Sequence, residues 1–197
     1  MRVSDSPLRS SAPFPTGGPR DEALAPAPER DAFARDATRG CARQADAVAR
    51  ILVSLASRIQ YDADRLRPQD PPAVFASGRA DCVGFAELAV DLLRRVGIRA
   101  RTVQGILRTE PAHPAYDPRI GGAYHRWIEV YYPDRGYVFS DPSASINGVD
   151  ARYIPFRGRS LVRPRGLTLV FVDRSGDLSY LAVSAGPSTL RERPSGK

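Results

Sequence analysis

The chain has almost no lysine, histidine or cysteine. Lys197 is the one lysine among 29 basic residues, and there are two histidines and two cysteines. Two cysteines are too few for the disulfide framework of a small secreted domain, so both are expected to be free thiols. Two cysteines and two histidines without close spacing also provide no zinc-ligand motif. We therefore expect neither a metal nor a cofactor.

Long apolar runs are absent as well. No segment approaches the roughly 18 consecutive apolar residues that a membrane-spanning helix needs. Residues 1–20 contain no continuous apolar stretch of the kind found in secretory signals. We therefore expect no membrane segment and a cytoplasmic location. The 197 residues, 42% of them apolar, are enough for one domain with a core of its own.

The net charge of +7 does not by itself indicate nucleic-acid binding, because the basic residues are spread along the chain. Five arginines with no acid among them are the exception: Arg152, Arg157, Arg159, Arg163 and Arg165. Two interpretations of this cluster stay open, a solvated loop and a patch that receives an acidic substrate or partner. Two aromatic residues nearby are weak support for a nucleic-acid site, and we expect no nucleic-acid partner.

The first part of the chain predicts a tail followed by helices. Residues 1–30 are rich in Pro, Ser, Gly and Ala without periodicity, which predicts a disordered tail or linker. Residues 31–60 predict one long helix, or two with a break near Gly40. Cys41 falls at helical spacing in this apolar stripe and is predicted to be a small buried core residue. At the other end, residues 187–197 predict a loose tail.

The middle of the chain predicts a second helix and then strands. This helix starts near Asp81 or Cys82, and an αL stop is expected at Gly97. Strands are predicted over 98–107, 124–132 and 137–140, with a short strand at 152–156 and a hairpin formed by 167–172 and 178–183. Because helices come first and antiparallel strands follow, the sequence predicts one α+β domain over residues 31–186.

Cys82 opens the second helix, where the free amides of the first turn and the helix dipole stabilise negative charge. Its own N–H can point at a developing oxyanion. Gly84 removes a side chain close to this position, which predicts room for a substrate. A cysteine at a helix start is more often structural than catalytic, so this position alone does not decide the function.

His125 and Asp141 lie on neighbouring predicted strands. A loop of three residues, 133–135, would place Asp141 on the His125 face as a diagonal neighbour. A loop of four residues would turn Asp141 to the other face. His113 is the rival base, but it lies in a proline-rich segment with no scaffold to aim it. A thiol, an imidazole and a carboxylate in this order can form a nucleophile, its base and the group that orients the base.

At this point the chain resembles the transglutaminase-like superfamily of cysteine enzymes, which shares a papain-like core. The resemblance covers about residues 55–145. It rests on four motifs in order: Asp81-Cys82 before an apolar helix, the helix-to-strand passage 92–101, His125-Arg126-Trp127, and Asp141-Pro142 after an aromatic strand. It implies an α+β fold in which the nucleophile helix packs on an antiparallel sheet.

The resemblance also implies roles for these residues, with Cys82 as nucleophile, His125 as base and Asp141 as its orienter. The activity it implies is acyl transfer on peptide or amide bonds of a peptide or protein substrate. Hydrolysis is favoured because nothing in the sequence marks an amine site. The alternatives are a protein-glutamine transglutaminase and an inactive module that binds peptides or proteins. Tyr61, in a polar stretch before the nucleophile, is the candidate second oxyanion donor.

Overall fold

The computed structural model describes residues 10–15, 24–64, 66–144 and 151–156, together with the strands 167–172, 178–183 and 191–192. The chain forms two compact units. The first contains the residues up to 108 and residues 124–156, and the second contains residues 109–123 and 157–197. The domain boundaries 31–186 stay a prediction, as does the loose tail after them.

Four helices precede the main sheet: α1 (Pro28–Ala37), α2 (Gln44–Arg58), α3 (Pro71–Ser77) and α4 (Cys82–Arg95). The break predicted near Gly40 is present, because Gly40 has a φ of 76° and the chain turns there between α1 and α2. Cys41 lies in this connection and is only partly buried against the core. Cys41 does pack against the core, as predicted, but its predicted position in a helical stripe is wrong, because it lies between two helices.

Helix α4 has clear start and stop signals. The Asp81 carboxylate accepts hydrogen bonds from the amides of Val83 and Gly84, which satisfies two of the free donors of the first turn. The helix ends at Arg95, and Gly97 follows with a φ of 79°, as the sequence predicts. Its apolar residues are buried on almost every side, which makes α4 the central helix of the core.

The main sheet has four strands in the order β5-β4-β3-β6. They are β3 (Ala100–Leu107), β4 (Ala123–Tyr132), β5 (Gly136–Ser140) and β6 (Tyr153–Pro155). Strands β4 and β5 are antiparallel, with Tyr132 paired to Gly136 and Ile128 paired to Ser140. This register confirms the predicted three-residue loop and brings Asp141, the next residue, alongside Trp127. Two short strands, β1 (Gln60–Tyr61) and β2 (Arg79–Ala80), pair in parallel.

The core joins α4 to one face of β4. Ile128 and Val130 belong to the same buried cluster as Leu88, Leu92 and Leu93 of the helix. The opposite face of β4 carries Trp127, which is fully buried. A Cβ on Gly105 of β3 would overlap the Trp127 ring and the Ile154 backbone, so only glycine fits there. The mixed helix and antiparallel sheet architecture agrees with the predicted α+β class.

A buried ion-pair network fastens α1 to α4. The Asp91 carboxylate accepts from Arg95 at 2.8 and 2.9 Å and from Arg30 at 2.9 Å. Arg95 also donates to Asp31 at 3.0 Å. Because these charges are removed from water, deleting one partner would leave the others uncompensated, and the network fixes the orientation of α4. No local pattern in the sequence predicts this network.

Residues 10–15 differ from the predicted disordered tail. Phe14 donates a backbone hydrogen bond to Ala42 at 2.9 Å, and Gln44 donates one to Ala12 at 2.9 Å. The Ser10 hydroxyl donates to Asp134 at 2.8 Å. This part of the predicted tail is therefore packed against the first unit rather than separate from it.

The second unit contains β7 (Leu167–Val172), β8 (Leu178–Val183) and β9 (Arg191–Glu192), in an antiparallel sheet. Val172 pairs with Leu178, which confirms the predicted hairpin. Residues 157, 159, 163 and 165 of the arginine cluster lie outside the described residues. Over the part of the chain that the structure describes, no helix combines the length and the apolar character needed to cross a membrane.

Candidate active site

Cys82 is the first residue of α4, and two side chains fix the backbone around it. Asp81 caps the helix through the Val83 amide at 2.7 Å and the Gly84 amide at 3.3 Å. The Asp81 amide in turn donates to the Gln69 side-chain oxygen at 3.1 Å. The thiol therefore lies at a rigid helix N-terminus, where peptide dipoles stabilise negative charge. The side chain is half-buried and free of any disulfide.

Gly84 has a different role from the one predicted. A Cβ at this position would overlap the Gln69 side-chain oxygen and would come within 2.8 Å of both Ala80 and Val74. Gly84 is buried and faces these groups. It allows α4 to pack closely against its surroundings, and the prediction that it makes room for a substrate is wrong.

His125 links the thiol to a carboxylate. Its Nε2 lies 2.6 Å from Oδ2 of Asp141, and the Cys82 side chain is the second partner that raises the pKa of the imidazole. Burial lowers the pKa of His125, but the hydrogen bonds and charges of Asp141 and Cys82 outweigh it and raise the pKa from 6.5 to about 9. The imidazole is therefore protonated at neutral pH, with both ring nitrogens acting as donors.

Asp141 is fully buried and its carboxylate accepts four hydrogen bonds. Oδ1 accepts from the Ser143 amide at 2.9 Å and from the Ser143 hydroxyl at 2.8 Å. Oδ2 accepts from His125 and, at 2.8 Å, from the Tyr153 hydroxyl. Burial raises the pKa of Asp141. The hydrogen bonds from His125 and Ser143 lower it by a larger amount, so the net shift of the pKa is downward. The carboxylate stays ionised despite its burial.

The structure adds two aromatic residues that the sequence analysis did not assign to the site. The Trp127 ring stacks on His125 with ring centroids 6.1 Å apart. Tyr153, on β6, contacts both rings, with its centroid 5.9 Å from His125 and 5.4 Å from Trp127. The alternation along β4 places Trp127 on the His125 face, so that residue was detectable. No sequence pattern linked Tyr153 to Asp141.

Tyr61 lies beside Cys82, the candidate nucleophile. It is on β1, pairs with Ala80 just before the start of α4, and stacks its ring on Phe85 at 6.2 Å. Although 54% of the residue surface is exposed, burial raises the pKa of the Tyr61 phenol, and the charges of Cys82 and Asp81 raise it further. A hydrogen bond from the Cys82 backbone acts in the opposite direction. The protonated Tyr61 hydroxyl is therefore close to the Cys82 backbone N–H, the group that is expected to donate to an oxyanion.

His113, the rival base, belongs to the second unit. It is exposed, and its Nδ1 accepts a hydrogen bond from the Ala115 amide at 3.1 Å. Its hydrogen bond is local, whereas His125 is connected to both a thiol and a carboxylate. Within the described residues, no group of His, Cys, Asp and Glu side chains is arranged to hold a metal ion.

Comparison with known families identifies one match over this region. The family profile described as the Transglutaminase-like superfamily matches residues 31–142. This range is more than half of the chain and contains Cys82, His125 and Asp141.

The individual relatives are longer proteins, and this chain aligns with only a part of each. The uncharacterized protein YebA of Bacillus subtilis (strain 168) is 32% identical over 77 residues, which are 36% of this chain and 10% of that protein. The periplasmic domain of TgpA from Pseudomonas aeruginosa is 22% identical, with a TM-score of 0.47, over 61% of this chain and 43% of that one. A candidate cysteine protease from Cytophaga hutchinsonii is 17% identical, with a TM-score of 0.49, over 64% and 41%. The chain thus spans less than half of each of these relatives.

Proposed function

Because this chain belongs to the transglutaminase-like superfamily, we propose that it is a cysteine-dependent acyl-transfer enzyme that hydrolyses peptide or amide bonds. Cys82 is the nucleophile, His125 the acid and base, and Asp141 the residue that orients His125. The observation that supports this proposal is the 2.6 Å contact of His125 with a buried Asp141, together with the effect of the Cys82 side chain on the pKa of the same imidazole. An isolated cysteine at a helix start would not require the other two.

In the proposed resting state an imidazolium faces the Cys82 sulfur, and attack on a carbonyl uses the thiolate form of that sulfur. The positive charge on His125 and the N-terminus of α4 both stabilise negative charge on Cys82. The buried, ionised Asp141 stabilises the imidazolium and holds its ring plane. A thiolate is the reactive form of cysteine, so this pair is ready to attack a carbonyl carbon.

Acylation begins when the Cys82 sulfur forms a bond to the carbonyl carbon and the carbonyl oxygen becomes an oxyanion. The Cys82 backbone N–H donates to that oxygen. His125 gives its proton to the departing amine as the C–N bond breaks. The products are a free amine, a neutral imidazole and a thioester between the substrate acyl group and Cys82.

Deacylation reverses the proton path. The neutral His125 removes a proton from a water molecule, whose oxygen bonds to the thioester carbon. The C–S bond breaks, the carboxylic acid leaves, and the thiolate–imidazolium pair is restored. A primary amine in place of water would complete an acyl transfer instead.

Tyr61 acts in this scheme as the second oxyanion donor. Its raised pKa keeps the hydroxyl protonated at neutral pH, and a protonated phenol can donate to a developing oxyanion. The Tyr61 oxygen accepts from the Cys82 backbone, so a substrate oxygen would have to enter between these two donors. The ring stacked on Phe85 holds the hydroxyl there.

Tyr61→Phe is expected to lower kcat about 100-fold, which is the usual cost of losing one oxyanion donor. The stacking on Phe85 is kept, so the loss is confined to the hydroxyl. Tyr137→Phe, on β5, is the matched control and keeps full activity. Steady-state kinetics on a chromogenic peptide amide measure both variants. Equal activity of Tyr61→Phe and the control would remove Tyr61 from the mechanism.

The reaction is expected to be mostly hydrolysis, because water needs no binding site whereas an amine needs a groove that excludes water. The test is incubation with an acyl-donor peptide and a tagged primary amine, followed by mass spectrometry of the products. Free acid as the main product at millimolar amine supports hydrolysis, and mostly tagged product would make the protein a transglutaminase. Self-crosslinking does not obscure the result, because Lys197 is the only lysine.

The same experiment addresses the inactive binding module. Two results together would contradict an enzymatic role. No peptide of a library would be hydrolysed or transferred, and Cys82 would stay unreactive toward alkylating agents. Turnover that disappears in Cys82→Ala supports it. The thiol reactivity makes the two outcomes separable even before a good substrate is known.

A further inference from the structure

A third strand of the main sheet contributes a side chain to the proposed site. Tyr153, on β6, is 4% exposed, and its hydroxyl donates to Oδ2 of Asp141 at 2.8 Å. The same oxygen lies 2.6 Å from Nε2 of His125. The other oxygen, Oδ1, is occupied by two donors from Ser143. His125 and Tyr153 therefore share one carboxylate oxygen.

The Tyr153 ring contacts the imidazole as well. Its centroid is 5.9 Å from His125, with the rings inclined at 58°, and 5.4 Å from Trp127 in an edge-to-face arrangement. Trp127 stacks on His125 with an interplanar angle of 22°. The imidazole is thus held by two aromatic rings and a carboxylate. Tyr153 is one of these rings, and it also contacts the other two groups, Trp127 and Asp141.

We propose that Tyr153 is a positioning residue of this site, whose hydroxyl shares Asp141 Oδ2 with His125 and whose ring fixes the imidazole plane. The proposal rests on the proposed function. Tyr153 is too buried to contact a substrate, so it acts through Asp141 and His125. A tyrosine that only fills the core would need neither the shared oxygen nor contact with the imidazole.

The shared oxygen has a definite electrostatic consequence. A donor on Oδ2 takes up part of the carboxylate charge that would otherwise stabilise the imidazolium. The titratable groups that act on His125 are Asp141 beside β5, Cys82 at the start of α4 and the Tyr153 hydroxyl on β6. Without the hydroxyl, the imidazolium would hold its proton more tightly and less neutral His125 would be present to activate water in deacylation.

The test is Tyr153→Phe, which keeps the ring and removes the hydroxyl. The protein has two histidines, so NMR titration of imidazole-labelled protein resolves His125, and His113→Ala assigns the other signal. The His125 pKa is about 9 in the wild type, and it is expected to rise in Tyr153→Phe. Tyr132→Phe, which removes a hydroxyl from a buried tyrosine of β4, the strand that carries His125, leaves it unchanged. On a peptide amide, Tyr153→Phe lowers kcat about tenfold without raising KM, because it touches no substrate.

An unchanged His125 pKa in folded Tyr153→Phe overturns the proposal. So does an equal shift in Ser143→Ala, which removes a donor from Oδ1 and not from the shared oxygen. If Tyr153→Phe does not fold, the second measurement uses fluorotyrosine, whose phenol is a stronger hydrogen-bond donor than that of tyrosine. It is incorporated into a Tyr61→Phe chain, so that the phenol of Tyr61 cannot contribute. The His125 pKa must then fall. The titration needs no substrate, so a shift in a protein without turnover supports the role of Tyr153 and contradicts only the proposed function.

Discussion

Replacing Cys82 by alanine abolishes turnover of a peptide amide, with a loss of about ten-thousand-fold or more, while Cys41→Ala retains full activity. The loss is this large because members of a nucleophile–base unit act together, and removing one removes the covalent route. The chain contains these two cysteines only, so each is the control for the other. Cys41 lies in the connection between α1 and α2 and packs against the core, whereas the Cys82 side chain helps to raise the pKa of His125.

Alkylation measures the same difference without a substrate. Folded protein treated with iodoacetamide at about pH 6 is expected to be modified at Cys82, because an ordinary thiol is almost wholly protonated there. Peptide mapping identifies the modified residue. Preferential modification of Cys41, or slow and equal modification of both, would contradict the nucleophile assignment. Turnover that survives in Cys82→Ala would contradict the mechanism as a whole.

Local patterns in the sequence were sufficient to predict the elements that position this site. The Asp81 cap and Gly97 mark both ends of α4, because capping and αL stops depend on residues adjacent in the chain. Whether His125 and Asp141 lie on the same face of the sheet depended on the number of residues in the loop between β4 and β5. A three-residue loop places both side chains on one face, and the structure has that loop.

The features that were missed depend on contacts between residues distant in the sequence. The Tyr153 hydroxyl reaches Asp141 from a strand that pairs with β3, and no local periodicity predicts which strand neighbours which. The pairing of Asp91 with Arg30 is of the same kind. Gly84 was misinterpreted because a glycine beside a nucleophile looks the same in sequence whether its open side faces a substrate or, as here, the Gln69 side chain.

Burial would make Asp141 more effective in its proposed role as the residue that orients His125. An exposed carboxylate would share its charge with water, whereas this one is fully buried and has four protein donors. The cost of desolvating the charge is offset by these bonds, and the direction of its pKa shift follows from that balance. In the proposed mechanism the imidazolium therefore has a fixed partner throughout the catalytic cycle.

His125→Ala is expected to lower kcat about a thousand-fold or more, while His113→Ala has no effect. The variant lacks both the acid for the departing amine and the base for water. In the wild type, kcat/KM is expected to fall as pH rises through about 9, because His125 then loses the proton that the departing amine needs. Initial rates from about pH 6 to about pH 10 measure both effects. An active His125→Ala with an inactive His113→Ala would reverse the choice of base.

The same proton makes folding depend on pH, and this gives a second measurement on these variants. The pKa of His125 is raised from 6.5 to about 9 on folding, so the folded state binds its proton more tightly than the unfolded state. That stabilisation is fully present below pH 6.5 and is lost as pH rises through about 9. The free energy of unfolding, from urea titrations at about pH 6 and about pH 10, should therefore decrease in the wild type and in His113→Ala. His125→Ala should show a smaller decrease, because it has no imidazolium at this position to lose. An equal decrease in all three proteins would mean that His125 is not the group whose proton stabilises the fold.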